Sequence, residues 1–203
     1  MILEAKKIGF KYKSSGYILK DIDFKISSGE RIGLVAKSGY GKSTLAKILA
    51  GHLFQTDGDI YIDGKKINNG SFNPVQLIYQ HPEKSINPRW KMKKALGENG
   101  KYDSALIESL GIHSAWLDRY PHELSGGELQ RFAIARAITE DTKFLIADEI
   151  TAMLDGITQA QIWNSLINIS EKNNIGIIVI THNKELADRI CTGTVNLEKI
   201  NNI

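Results

Sequence analysis

The residues Ala36-Lys37-Ser38-Gly39-Tyr40-Gly41-Lys42-Ser43-Thr44 combine glycines, a lysine and adjacent hydroxyls. Glycines let a chain turn its backbone N–H groups toward an anion, and a lysine adds full positive charge. A serine hydroxyl offers a ligand to a hard cation. The spacing is that of a phosphate-binding loop, G-x-x-x-x-G-K-[ST], with Ala36 where the first glycine belongs. The N–H groups of residues 38–43 are expected to face β- and γ-phosphates, Lys42 to reach them, and Ser43 to hold Mg2+. If position 36 needed a positive φ, alanine would cost about 1–2 kcal/mol there. We expect extended backbone at Ala36, with Gly39 and Gly41 carrying the turn.

Two further stretches carry chemistry. Phe144-Leu145-Ile146-Ala147-Asp148-Glu149 is an apolar run ending in two carboxylates. At the end of a central parallel strand, Asp148 would sit beside the phosphate loop and hold Mg2+ through water. Glu149 would accept a proton from the attacking water or orient it. Leu124-Ser125-Gly126-Gly127-Glu128 precedes a good helical run, residues 129–138. A Ser-Gly-Gly turn at a helix start is expected to form a second anion-binding nest. One compact domain rarely needs two such nests for one nucleotide, whereas a head-to-tail dimer does.

These groups need elements to hold them. Residues 31–35 read as a short buried strand running into the loop, and Leu45, Ile48 and Leu49 then have helical spacing up to Gly51. Residues 2–9 and 17–26 read as strands around a turn at Ser14-Ser15-Gly16. Residues 59–62 and 75–80 read as further strands. Residues 144–147 and 175–180, with a helical stretch at about 156–172 between them, form a βαβ pattern of a buried parallel sheet. Between His81 and Leu124 the texture is polar and lysine-rich, with weak helical periodicity at 91–96 and 103–110. The expected architecture is one α/β domain over residues 1–203 with an antiparallel edge. Its core is 1–80 and 137–203, with a helical subdomain at about 81–136.

Composition sets few limits. The chain has 203 residues, 42% hydrophobic and 24% charged, enough for a real core. A net charge of +3 does not by itself argue for nucleic acid or a membrane surface. The single cysteine, Cys191, excludes an internal disulfide framework and fits a reducing cytosol. No apolar run is long enough to span a bilayer, and the first residues lack a signal peptide's apolar core.

With these motifs in this order, nearly the whole chain resembles the ATP-binding cassette ATPases, which are P-loop NTPases. The resemblance implies ATP and Mg2+ as ligands, and a head-to-tail dimer with a second cassette, identical or homologous. In it the phosphate loop of one subunit and the signature of the other clamp one ATP. Ser125, Gly126 and Gly127 match that signature, and Glu128 replaces its usual glutamine. Tyr12 matches the aromatic residue that stacks on adenine. Gln80 matches the glutamine that reaches Mg2+ and the attacking water. Asp155 matches the fixed member of a segment that crosses the dimer. His182 matches the histidine that contacts the γ-phosphate.

Residues 79–89 resemble the "Q-D-P-x-x-S-L-N-P-R" stretch of the oligopeptide, dipeptide and nickel importer branch. Residues 120–125 and Gln159-Ala160-Gln161 resemble that branch too. The resemblance implies integral-membrane permeases as partners, fed by an external solute-binding protein, and a place at the cytoplasmic face of the membrane. Ile86, Trp90 and Met92 are candidate permease contacts. The departures are Ala36, Ile150 where proline is usual, a short insert, and no C-terminal extension of the peptide-importer kind. Nucleic acid is not an expected partner, because no long coiled-coil or zinc-bearing insert is present. The rival readings are a non-hydrolysing cassette that completes a partner's site, and an exporter cassette.

Overall fold

The computed structural model describes residues 1–13, 16–67, 72–99 and 102–203. The chain begins with β1 (Ile2–Lys11), β2 (Tyr17–Ser27), β3 (Arg31–Val35) and α1 (Lys42–Leu49). Then come β4 (Asp57–Ile62), β5 (Lys65–Lys66), β6 (Val75–Ile78), α2 (Met92–Leu96), α3 (Ser104–Ser109) and α4 (Gly126–Ala137). The last part holds β7 (Phe144–Asp148), α5 (Gly156–Asn173), β8 (Gly176–Ile180), α6 (Lys184–Ile190), β9 (Gly193–Asn196) and α7 (Leu197–Ile200). Among the described residues, no helix is long and apolar enough to cross a membrane.

The chain divides into two compact units. The first comprises Met1–Leu77, Asp141–Asp148 and Asn174–Ile203. It contains two sheets. The antiparallel one has the order β2-β1-β4-β5. Strand β2 buries Ile22, Phe24 and Ile26 in the alternation of a half-buried strand, and a break at Asp21 (φ 51°) separates them from the buried Leu19. The alternation of β1 slips between Ala5 and Ile8, where Lys7 takes φ 51° and the register with β2 shifts. Of the expected turn at Ser14-Ser15-Gly16, Ser14 and Ser15 lie outside the described residues, and Lys11 pairs with Tyr17 across it.

The other sheet has the order β6-β7-β8-β3-β9. Strands β3, β7, β8 and β9 run parallel. Every residue of β8 is buried, as are Phe144–Ala147 in β7. Such continuous apolar runs mark strands covered on both faces. The antiparallel part of the α/β fold is a separate four-stranded sheet. Strand β6 stops at Ile78, short of the expected 80. Pro82 opens a 3-10 turn and holds His81 extended at φ −108°, ψ 92°.

The second unit comprises Ile78–Glu140 and Glu149–Asn173. It holds α2 to α5 and short 3-10 turns at Pro82–Lys84, Gly97–Asn99, Ser114–Trp116 and Pro121–Glu123. Arg136, in the last turn of α4, ties its polypeptide together. It donates to the carbonyls of Ser85 and Ala95 and pairs with Glu98. Ile86 and Met92 are 3% and 0% exposed. They pack inside this unit and are not available as permease contacts. Trp90 is half-buried, with the Lys94 ammonium 4.3 Å from its ring centroid.

Candidate functional site

The parallel sheet sets where the first group of residues stands. Leu34 of β3 pairs with Ile180 of β8, and Asp148 of β7 pairs with the same Ile180 from the other side. The three residues lie on one rung. With about 4.8 Å between neighbouring strands, Asp148 and Leu34 stand about 10 Å apart. Three strands thus end together, and the crevice outside strand carboxyl ends is where α/β sheets bind ligands.

From the end of β3 the chain enters the loop, residues 36–41. Gly39 and Gly41 take φ 86° and 88°, while Ala36 is not among the positive-φ residues. Position 36 thus avoids the left-handed region, and within the loop the strain-prone conformations fall on glycines. Gly41 has a second reason to be glycine, because a Cβ there would lie 2.8 Å from Leu19 Cδ2. Gly41 is also the N-cap of α1, and no side chain caps the helix. The Lys42 side chain is only 7% exposed, and its ammonium donates to the carbonyls of Ala36 (2.8 Å) and Lys37 (3.0 Å). The loop is thereby folded around its own cation. Ser38 and Ser43 are exposed and Thr44 half-buried.

His182 follows β8, exposed, between two local ties. Thr181 Oγ1 accepts from the Asn183 N–H, and Asn183 Oδ1 caps α6 by accepting from the Leu186 N–H. Tyr12 follows β1 and is 52% exposed, with its ring edge-on to Phe10 at 5.0 Å. Lys11 pairs with Tyr17, and Ile18 and Leu19 press on Gly41. Tyr12 therefore stands at the end of the antiparallel sheet that borders the loop. The first unit thus brings together Tyr12, residues 36–44, Asp148 and His182.

Gln80, Ser125, Gly126, Gly127, Glu149 and Asp155 belong to the second unit, and the boundary passes between Asp148 and Glu149. Glu149 has φ 52°, an uncommon value for a residue with a side chain. The next residues form a turn, with Ala152 N–H donating to the Glu149 carbonyl at 3.1 Å. Thr151 anchors that turn. Its buried Oγ1 accepts from Gln159 Nε2 (2.8 Å) and Trp163 Nε1 (3.0 Å). The sequence gives no local sign of this role, since both donors come from the next helix. Asp155 Oδ1 accepts from the N–H groups of Ile157 and Thr158, both at 3.0 Å, capping α5. A side-chain hydrogen bond from Thr158 is the main cause holding its carboxyl below the usual range.

Ser125 caps α4, and the cap is reciprocal. Its Oγ accepts from the Glu128 N–H at 3.3 Å, and Glu128 Oε2 accepts from the Ser125 N–H at 2.8 Å. Gly126 and Gly127 are the first helical residues, and neither has positive φ. Any anion binding here draws on a helix N-terminus, not on a glycine turn. Gly127 is fixed by packing, because a Cβ there would lie 2.8 Å from Thr158 Cγ2. At Gly126 the nearest atom to such a Cβ, Leu154 Cδ2, is 3.8 Å away.

The oxygen donors expected at Mg2+, namely Ser43 Oγ, Asp148 and Gln80, suit a hard cation. Among the described residues, no cluster of three or more His, Cys, Asp or Glu forms an all-protein metal cage. A small donor set of this kind fits an ion that arrives with phosphate oxygens.

Comparison with known proteins supplies a family. A family profile described as ABC transporter matches residues 19–152. NikE of Staphylococcus aureus, a nickel import system ATP-binding protein, is 34% identical over 210 residues, covering 97% of this chain and 87% of that protein. DdpF of Escherichia coli, a probable D,D-dipeptide transport ATP-binding protein, is 36% identical over 190 residues. That alignment covers 86% of this chain but 60% of the relative. Among solved structures, cbiO1 of Clostridium perfringens, part of the transporter complex cbiONQ, matches with a TM-score of 0.82 at 25% identity. The match covers 96% of this chain and 83% of that one. The ATP-binding cassette MJ0796, in a dimeric post-hydrolysis state bound to ADP and Pi, matches with a TM-score of 0.83. That match covers 96% and 93% of the two chains at 23% identity, a likeness of fold.

Proposed function

Because this chain belongs to the ABC transporter family and is an ATP-binding, ATP-hydrolysing subunit, we propose that it powers import of a small solute through separate membrane permeases. The solute class is nickel, a metal chelate or a short peptide. The observation that carries this reading is the near-full-length likeness to a nickel import ATP-binding protein, 97% of this chain at 34% identity. The likeness to a probable dipeptide transport subunit supports the same branch. In this reading the chain works at the cytoplasmic face of the membrane. It pairs head to tail with a second cassette, and the permeases receive solute from an external binding protein.

In the proposed site, Tyr12 stacks on adenine. The N–H groups of residues 38–44 and the Lys42 ammonium hold the phosphates. Ser43, Asp148 and Gln80 would hold Mg2+, which when bound neutralises phosphate charge. Glu149 takes a proton from water as its oxygen bonds to the γ-phosphorus, and the bond to the bridging oxygen breaks to release ADP. His182 contacts the γ-phosphate. Ser125, Gly126, Gly127 and Asp155 act toward the site of the partner cassette. Residues 81–136 form the helical subdomain that meets the permease. Since Ile86 and Met92 are largely buried, its contact surface lies around the hollow of about 610 Å3 whose lining mixes Glu83, Asn87, Arg89 and Arg136 with Ile86 and Pro88.

Two measurements test this reading. Glu149→Gln is expected to retain ATP binding and lower turnover by at least about a hundredfold, in the upper part of the range for a general base. Unchanged hydrolysis would remove Glu149 from its role. Purification from native membranes is expected to bring down two permeases and a second cassette. Recovery of nucleic acid instead would overturn the importer.

A further inference from the structure

We propose that the segment Leu197–Asn202 braces the phosphate loop, with Glu198 as a positioning residue that fixes Lys37 and thereby the resting place of Lys42. This inference rests on residues 36–44 binding the phosphates of ATP. The central contact joins distant parts of the sequence. The backbone N–H of Lys37, second residue of the loop, donates to Glu198 Oε1 at 2.7 Å. A hydrogen bond to a carboxylate is stronger than one between neutral groups. The carbonyl of the same Lys37 accepts from the Lys42 ammonium at 3.0 Å. Lys37 is thus held at its N–H by a carboxylate and at its C=O by the phosphate-binding lysine. A phosphate that draws the ammonium away would leave Glu198 as the tie remaining on Lys37.

Glu198 is itself fixed. Its N–H donates to Asn196 Oδ1 at 2.8 Å, and Asn196 pairs with Val35, the last residue of β3. Leu197, between them, is fully buried. The carboxylate therefore hangs from the strand adjoining the one that delivers the loop.

The same segment holds the far end of the loop. Asn201 Oδ1 accepts from the Lys20 N–H and its Nδ2 donates to the Ile18 carbonyl, both at 2.9 Å. The Asn202 N–H donates to the Lys20 carbonyl at 3.1 Å. These bonds fix the start of β2, whose Ile18 and Leu19 abut Gly41. One short segment thereby bears on both the entry of the loop, at Lys37, and its exit, at Gly41. Ordering a loop before its ligand arrives removes that entropy from the binding step. A carboxylate this close to a triphosphate also repels it, so the arrangement serves binding only if positioning outweighs repulsion. The two effects separate in Glu198→Gln, which keeps an acceptor and removes the charge.

The test uses the full chain with ATP and Mg2+, and reads the Lys37 amide exchange rate, the Kd for ATP, and kcat. In Glu198→Ala, Lys37 exchange is expected to rise at least about tenfold. The Kd is expected to rise about fivefold, with kcat at saturating ATP changed by less than about twofold. Glu198→Gln should restore protection of Lys37 and most of the affinity. Asn201→Ala should weaken ATP binding without exposing the Lys37 amide. Unchanged Lys37 exchange and Kd in Glu198→Ala would overturn the proposal. So would tighter ATP binding in both Glu198 variants, which would make the carboxylate only a repulsive charge. If Glu198→Ala fails to fold, the Gln variant decides. Lost protection of Lys37 in that folded protein overturns the proposal, and retained protection supports it. Lys42→Ala reports separately on the premise. Full ATP binding in that variant would remove the loop from the ATP site, whatever Glu198 does.

Discussion

Helices α1 and α4 both start within an expected anion site, yet their first turns are built in opposite ways. At α1 the N-cap is Gly41 with φ 88°, no side chain caps the helix, and no acidic residue sits in the first turn. At α4 the N-cap is Ser125, its hydroxyl engaged by the Glu128 N–H, and the Glu128 carboxylate closes a capping box. An uncapped helix start leaves its N–H groups and positive end for a ligand. A boxed start satisfies them internally and places a negative charge where an anion would come. The stability that a side-chain cap provides is absent at α1 and present at α4. A ligand reaching α4 must use the Ser125 hydroxyl and the remaining N–H groups, or displace the box.

This contrast can be broken at several points. The largest effect is expected from Gly41→Ala. It forces a residue with a Cβ into positive φ and against Leu19, at about 1–2 kcal/mol of backbone strain alone, so the Kd for ATP should rise at least about tenfold. A titration showing unchanged affinity would mean the loop does not need this turn. A smaller effect is expected at the capped helix. Ser125→Ala should cost about 1 kcal/mol, a fall in Tm of about 2–4 °C by calorimetry. Glu128→Gln preserves the box and should leave Tm within about 1 °C. If Glu128→Gln instead destabilises as much as Ser125→Ala, the carboxylate's charge, not the box, holds this turn. The smallest effect is expected at Ala36→Gly. With no positive φ at that position, the Kd for ATP should shift by less than about threefold. A tenfold gain would show that the native loop is handicapped at its first residue.

Local pattern made some features readable and left others hidden. The loop from Ala36 to Thr44 was legible because its chemistry is packed into consecutive residues. Strands β7 and β8 were legible because burial on both faces leaves continuous apolar runs. Helix α5 was read at about 156–172 and spans Gly156–Asn173. By contrast, β9 is four residues with mixed burial at a sheet edge, and α7 is a single turn. Neither has enough residues to show a period. The burial of Ile86 and Met92 was likewise invisible, because an apolar side chain looks the same in sequence whether it packs inward or meets a partner.

The sequence by itself determined the phosphate loop, the carboxylates Asp148 and Glu149 at a strand end, the Ser-Gly-Gly helix start, and from their order the family. Each depends on residues adjacent in the chain, so spacing alone carries the information. Tertiary structure decided the rest. It aligned Leu34, Ile180 and Asp148 on one rung, chose Gly41 over Ala36 for the left-handed turn, and closed the Ser125–Glu128 box. It also carried Glu198 across 161 positions of sequence to the Lys37 amide. Contacts of that kind arise only when strand pairing brings distant segments to one sheet edge, and no local pattern encodes them.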